Sequence, residues 1–536
     1  MYLIPQKPIQ LMQSLLAIFL LVFLTMGIST VKAESPLSNV QNLINAWQIY
    51  EAREALEQLR ANQSQFGGAF DYVEANLLFQ EGQYEKAVTL YQKVKESEPS
   101  LYQRATDQIA EAMATKETLK GMLEEVSTDG RFLIRYFKED ALLIPYLFEV
   151  LQKADSALSE DFQYQPKGQI LVEIYPSAKY LADVTSLTEE EIETSGTIAL
   201  CKYNRLMFSS PRALAKGYDF KNTVSHELVH YYVSKYSLNT VPIWLHEGIA
   251  KFQESRWQMA PGPHLEAPQE DLLAKSLAQN QLISFDQMHP SMAKLPSQEA
   301  AGLAFAEVHT VIAYLFKKKG YAGIRQLLQN LKNNMEMDQA LMASFGVDLN
   351  GLWQDWLADI KRLGLKEYPG LIQQNLKFKR PGQKDEDVEE DYISIKEKEV
   401  KDWTHLGELL RARNQWIAAL AEYRKAKQKN GDGNPLIQNG IASTLIELKQ
   451  YQAVVDELQL VKKYYPSYLN THLNLGESLV VLKRYEEAIQ SYEEALSLNP
   501  FHPKPHQALA KLYELLNQPQ LAQRSKRSLE LLGYQK

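Results

Sequence analysis

Apolar and polar positions along this chain pass through distinct regimes. Residues 36–120 repeat apolar positions at helical spacing: Asp71–Phe79 and Gly82–Tyr91 read as a helix pair, with Ala46–Leu59 a looser helical neighbour. Residues 130–210 change character. Phe132–Phe137 and Ile170–Tyr175 are short runs rich in β-branched and aromatic residues, and both read as strands. Leu142–Leu158, between them, has helical periodicity. Gly196–Phe208 reads as one or two further strands, turning near Lys202-Tyr203-Asn204. Residues 296–365 are helical again. Ala300–Phe316 is amphipathic and ends in Lys317-Lys318-Lys319-Gly320, a cationic last turn followed by a helix-stopping glycine. Asp348 is placed to cap a helix in which Trp353, Trp356 and Ile360 have core spacing.

Beyond residue 400 the pattern repeats. Tyr451 and Tyr485 are 34 residues apart, Trp416 lies 35 before Tyr451, and Ala419, Val454, Ala488 and Ala522 fall at matching places. The clearest unit runs from Tyr485-Glu486-Glu487-Ala488-Ile489 to Asn499-Pro500. This period and its closing proline resemble the tetratricopeptide repeat, and Gly82–Tyr91 resembles the second helix of such a unit. Stacked helix pairs bury a common core and leave a groove that commonly docks peptides or proteins, so a protein partner in that groove is one reading and a purely structural stack is the other. Repeat regions are accordingly placed at 36–120 and 400–536. Residues 380–399, with Pro381-Gly382 and the acidic run Asp385–Asp391, read as a solvated linker without the glycine or spacing of an EF-hand loop.

The first 33 residues read as a signal peptide. Lys7 precedes the apolar run Leu15–Phe23, and Val31-Lys32-Ala33 has the small-residue form of a cleavage site. The apolar stretch extends from Leu11 to Ile28, so an uncleaved single-span anchor is the alternative, and membrane contact is expected only in that case. Either way the rest of the chain is expected across the membrane: secreted, or in the periplasm or cell envelope. No span is expected after residue 33. A net charge of −8 and the lack of a long basic cluster argue against a nucleic-acid partner. The lone Cys201 excludes an intramolecular disulfide and a cysteine-based zinc site, and reads as a core thiol on a strand.

The chemistry concentrates in His226-Glu227-Leu228-Val229-His230. On a helix, histidines four apart lie one above the other and can share one metal ion, and Glu227 can reach a water there. This is the H-E-x-x-H arrangement of zinc peptidases, which requires a third protein ligand and leaves a fourth position for water. Sixteen residues intervene between His230 and Glu247. Thr240 is expected to cap a second helix with Pro242 in its first turn, bringing Glu247 back onto the first. His246 and Glu254 are rivals for the third position: His246 points roughly 100° away from Glu247, and Glu254 lies two turns further along the same face. No G-x-S-x-G supports a serine hydrolase.

H-E-x-x-H followed by Trp244-Leu245-His246-Glu247-Gly248-Ile249-Ala250 resembles the gluzincin clan, most closely the peptidase MA-like families, which are often joined to tetratricopeptide repeats. The resemblance spans about residues 130–365, with its specific motifs in 222–253. It implies an α+β zincin-like metallopeptidase domain flanked by all-α tetratricopeptide helical repeats. It implies one zinc ion held by His226, His230 and Glu247, with Glu227 as general base for a zinc-activated water and a peptide or protein as substrate. A sheet edge that pairs with the substrate backbone is also implied, with Thr197–Cys201 the candidate and an ordinary inner strand the equal alternative for that segment. The G-x-M-E-N type segment of zinc aminopeptidases is missing, which favours an endopeptidase. Two departures stand out. Lys251 replaces an aspartate that orients a histidine in thermolysin-like relatives, so another residue must do that work. Phe305 stands where a tyrosine is expected to face the oxyanion. His309, one turn on along the same face, is the candidate substitute, ahead of Tyr203 and Tyr314, and an ordinary core histidine is the alternative for it. The alternative reading is a catalytically inactive repeat scaffold that keeps its zinc site. In a third, zinc is purely structural, with His246 or another side chain in the fourth position.

Overall fold

The computed structural model describes residues 35–262, 265–368, 371, 375–379, 395, 397–431 and 434–534. The signal segment and most of the acidic linker lie outside the described residues. The α+β expectation holds for the centre of the chain. Its sheet has five strands, β1 (Leu123–Val126), β2 (Phe132–Tyr136), β3 (Ile170–Tyr175), β4 (Ala199–Lys202) and β5 (Arg205–Ser209), in the order β1-β2-β3-β5-β4. β2, β3 and β5 run parallel, while β1 and β4 are antiparallel edges. All six residues of β3 are buried, including Glu173, the one charged side chain in an otherwise apolar strand. Tyr203 and Asn204 both have positive φ and form the two-residue turn between β4 and β5. β1 escapes the sequence pattern because Leu-Glu-Glu-Val is exposed throughout and has no buried face.

We number the helices of this central domain α1 (Ile144–Phe162), α2 (Ala178–Asp183), α3 (Glu189–Ser195), α4 (Phe220–Ser237), α5 (Ile243–Gln253), α6 (Ala267–Gln279), α7 (Gln298–Lys332), α8 (Met337–Phe345) and α9 (Leu349–Leu363). Asp219 caps α4 by accepting the Asn222 amide at 3.1 Å, and Leu238 ends that helix in the left-handed region. Thr240 does not cap α5. Its hydroxyl donates to the Ser237 carbonyl, and Pro242 itself takes the cap position, where it needs no amide hydrogen. α7 breaks at Gly320, as the lysine-glycine stop predicts, and a second helical stretch follows immediately. Two of the three lysines reach the next helices, Lys317 pairing with Asp359 at 2.9 Å and Lys319 donating to the Ser344 carbonyl, while Lys318 lies over Tyr314 of its own helix. Contrary to the expectation of no span after residue 33, α7 is long and apolar enough to cross a membrane by length and composition. However, 67% of that window is buried in the domain, so α7 is a core helix. Asp348 caps α9 as expected, accepting the Gly351 amide at 2.7 Å.

Helices flank this domain on both sides in sequence. Pro36–Asn45, Ile49–Arg60, Gly68–Gln80, Tyr84–Ser97, Pro99–Arg104 and Thr106–Thr118 precede it. Eight described helices follow it, paired from Lys398–Ala412 with Trp416–Asn430 to Pro503–Leu515 with Pro519–Leu531. Tyr423 and Tyr492 seat on glycines within this stack. A Cβ at Gly440 would stand 2.6 Å from the Tyr423 ring, and one at Gly476 2.7 Å from Tyr492.

Candidate metal centre

α4 carries His226, Glu227 and His230, and α5 brings Glu247 against them. Glu247 Oε2 lies 3.4 Å from His226 Nε2 and 3.2 Å from His230 Nε2. One ligand atom from each of the three residues lies within 4.8 Å of the others. Gly248 allows this approach: a Cβ there would stand 2.7 Å from Ile312 Cγ1 and 3.0 Å from the Val308 carbonyl on α7. Glu227 is 5% exposed, and its Oε2 is buried with no hydrogen-bond partner. Two imidazole nitrogens and a carboxylate that converge beside an orphaned carboxylate oxygen form a donor set that fits zinc.

The two rival ligands stand behind the imidazoles. Glu254 Oε2 lies 3.3 Å from His226 Nδ1, and its other oxygen accepts from Lys251 Nζ at 2.5 Å. His246 Nδ1 is 2.5 Å from His230 Nδ1, and His246 Nε2 is 3.0 Å from Ser234 Oγ. Each histidine therefore turns Nε2 toward Glu247 and is held from behind at Nδ1, the usual way to fix an imidazole for a metal. Lys251, which replaces the expected aspartate, supports Glu254, and Glu254 occupies the orienting place on His226.

Charge follows this geometry. Burial opposes a positive His226, but the bonds to Glu247 and Glu254 carry its pKa up to about 10. Burial would raise the Glu247 carboxyl, yet His230 and His226 hold it well below its ordinary range. Glu254 is likewise held low against burial by Lys251 and His226. Burial, then His230, pushes His246 down to about 3, so it stays neutral. Glu227 moves the other way: burial raises its pKa, against the pull of both histidines.

Residues 151–362 match the family model described as the Peptidase MA superfamily, and residues 470–502 and 48–101 match models of the tetratricopeptide repeat. The chain carries a Peptidase MA superfamily domain joined to tetratricopeptide repeats. No curated protein matches it. Among solved structures, "MamA MSR-1 C2" is 27% identical, covering 25% of this chain and 76% of that one at a TM-score of 0.23. "MamA 41-end from Desulfovibrio magneticus RS-1" is 20% identical, covering 26% and 77%, at a TM-score of 0.24.

Within the Peptidase MA domain, Phe305 stands beside the cluster, its ring 6.2 Å from that of His226. His309 does not take the expected place. It is buried with its ring 5.8 Å from Phe252, and no described contact joins it to His226, Glu227, His230 or Glu247. Phe305 and His309 share one face of α7, but one turn along that face the neighbour changes from His226 of α4 to Phe252 of α5, which the sequence spacing could not resolve. Burial, then Lys251, pushes the His309 pKa down to about 4, so its ring is neutral. Tyr203 donates to Glu111 at 2.5 Å and Tyr314 to Asp355 at 3.0 Å, so both are engaged away from the cluster. β4 is an edge of the sheet, which decides between the two readings of Thr197–Cys201, and Cys201 lies half-buried there rather than inside the core as its sequence suggested; burial raises its thiol pKa.

Proposed function

We propose that this protein is a zinc-dependent endopeptidase acting outside the cytoplasm, secreted or held in the cell envelope. The observation that carries this reading is the convergence of His226 Nε2, His230 Nε2 and Glu247 Oε2 beside the unpartnered carboxylate oxygen of Glu227. His226, His230 and Glu247 would hold the ion. Zinc, when bound, supplies Lewis acidity to a scissile carbonyl and to a water. Glu227 takes the proton of the attacking water and passes it to the leaving amine, a role worth about 10²–10⁴ in rate. Glu254 and His246 keep both imidazoles turned toward the ion. β4 offers an edge on which an extended substrate can lie as an added strand. The tetratricopeptide repeats dock a protein partner or the substrate itself.

The test is zinc content and casein cleavage, side by side, for wild type and Glu227→Gln. Zinc in both with cleavage by wild type alone supports the reading and the role of Glu227. No zinc in either protein sinks the ligand assignment. A second reading, an inactive scaffold that keeps its zinc site, is favoured by Phe305, which has no hydrogen to donate to an oxyanion. Zinc in both proteins with cleavage by neither, across a broad peptide library, would select it. The extracellular reading predicts a mature N-terminus at Glu34.

A further inference from the structure

The metal helix α4 is gripped at both ends by the flanking helical regions. At its N-terminal end, the Tyr218 amide donates to the Leu498 carbonyl at 3.0 Å, immediately before the cap Asp219. Gly217 makes this approach possible: its φ is +70°, and a Cβ there would stand 2.1 Å from the Leu498 carbonyl oxygen. One turn inward, Lys221 pairs with Glu493 at 3.6 Å, with side chains only 9% and 26% exposed. Glu493 also accepts from Tyr513 at 2.8 Å and from Arg524 at 3.4 Å. Arg524 in turn bonds Glu149 of α1 at 2.9 Å and lies over the Tyr146 ring at 4.7 Å. At the other end of α4, Lys235 donates to the Trp47 carbonyl, and the Trp47 and Tyr231 rings stand 6.5 Å apart. His226 and His230 lie between the two grips.

We propose that the two flanking helical regions clamp the metal helix, so that the placement of His226 and His230 against Glu247 depends on Leu498 and Glu493 being docked on Tyr218 and Lys221. Lys221 and Glu493 are then positioning residues that act on the metal site through the first turn of α4. An amide pinned by a carbonyl and a lysine held by a carboxylate set where that turn starts. A ligand helix displaced at its start carries both imidazoles with it. By thermodynamic reciprocity, occupancy of the metal site must stabilise the docked repeats in return.

The proposal rests on the zinc reading for one readout and stands without it for the other. Zinc affinity is measured by chelator competition, and amide exchange by mass spectrometry, on the full chain. Gly217→Val, Lys221→Met and Lys221→Arg are compared with wild type. Gly217→Val and Lys221→Met are expected to weaken zinc about tenfold, in the range seen for residues that orient ligands, and to speed exchange across residues 219–232. Lys221→Arg restores both. Zinc added to wild type is expected to slow exchange at residues 493–501, which a purely structural contact would not do. Wild-type affinity and exchange in Gly217→Val, with its repeats released to proteolysis, would overturn the clamp. If Gly217→Val does not fold, Lys221→Met decides by the same two outcomes. If wild type binds no zinc, the metallopeptidase reading fails, and exchange across 219–232 alone decides the clamp.

Discussion

The two helical regions share a repeat motif but are attached to the Peptidase MA domain by different physics. The N-terminal helices keep apolar cores of their own and meet the sheet through a buried polar cluster. Tyr84 donates to Glu173 at 2.9 Å and accepts from Arg205, while Arg135 joins Glu173 at 3.2 Å and the Gly82 carbonyl at 2.9 Å. The Glu173 and Arg205 side chains are both 0% exposed. The C-terminal repeats instead continue one apolar core that begins in the sheet and runs to Ala522, with largely buried ion pairs around its rim. Charges fully removed from water are costly unless every partner is present, so the N-terminal attachment enforces one arrangement more than it adds stability. Continuous apolar contact is tolerant of detail and should make the C-terminal repeats unfold together with the central domain.

The largest test of this contrast is Arg205→Met, which removes the fully buried one of the two guanidiniums on the Glu173 carboxylate and leaves it Arg135 alone as a cationic partner. It should cost about 3–5 kcal/mol in denaturant unfolding, and a loss below about 1 kcal/mol would contradict the buried-lock description. Tyr84→Phe removes only the hydroxyl that joins the N-terminal helices to that cluster. A loss of about 1–3 kcal/mol is expected, with faster proteolysis confined to residues 36–120; proteolysis spread over the whole chain would dissolve the distinction between the two attachments. A third test uses pH. Burial pushes Lys235 down to about 7, against the pull of Glu51, while an unfolded lysine titrates near 10.4. Between those values the unfolded chain holds the extra proton, so stability should rise with pH from about 7 to about 10. The slope stays below about 1.4 kcal/mol per unit because Lys235 keeps an edge to solvent, and Lys235→Met should flatten it. The smallest effect belongs to Lys221 and Glu493 at the C-terminal rim. Lys221→Met leaves Glu493 partnered by Tyr513 and Arg524, so it should lower global stability by only about 1 kcal/mol. A loss of several kcal/mol would place a second buried lock at that rim.

Legibility in the sequence follows the range of the interaction. Ile170–Tyr175 and Phe132–Tyr136 announce themselves because strands packed inside the domain are dominated by β-branched, aromatic and leucine side chains, with Glu173 and Arg135 the charged exceptions. β1 stays hidden because an exposed edge held by backbone pairing to β2 needs no apolar pattern. Asp348 was readable as a cap because capping spans three residues, whereas Thr240 looked like a cap and was not, because Pro242 had already taken the position. The repeats were readable because their period is carried by residues that touch neighbours one unit away.

The sequence by itself determined the pairing of His226 with His230, since four residues on a helix put two side chains in line whatever surrounds them. It also placed Phe305 near the site. Only the tertiary structure decided that Glu247 faces the imidazole Nε2 atoms while Glu254 and His246 stand behind them, and that His309 packs on Phe252. Those roles turn on how α5 and α7 cross α4, and so on contacts such as Gly248 against Val308 and Ile312. Contacts between helices far apart in the chain leave no periodicity along it.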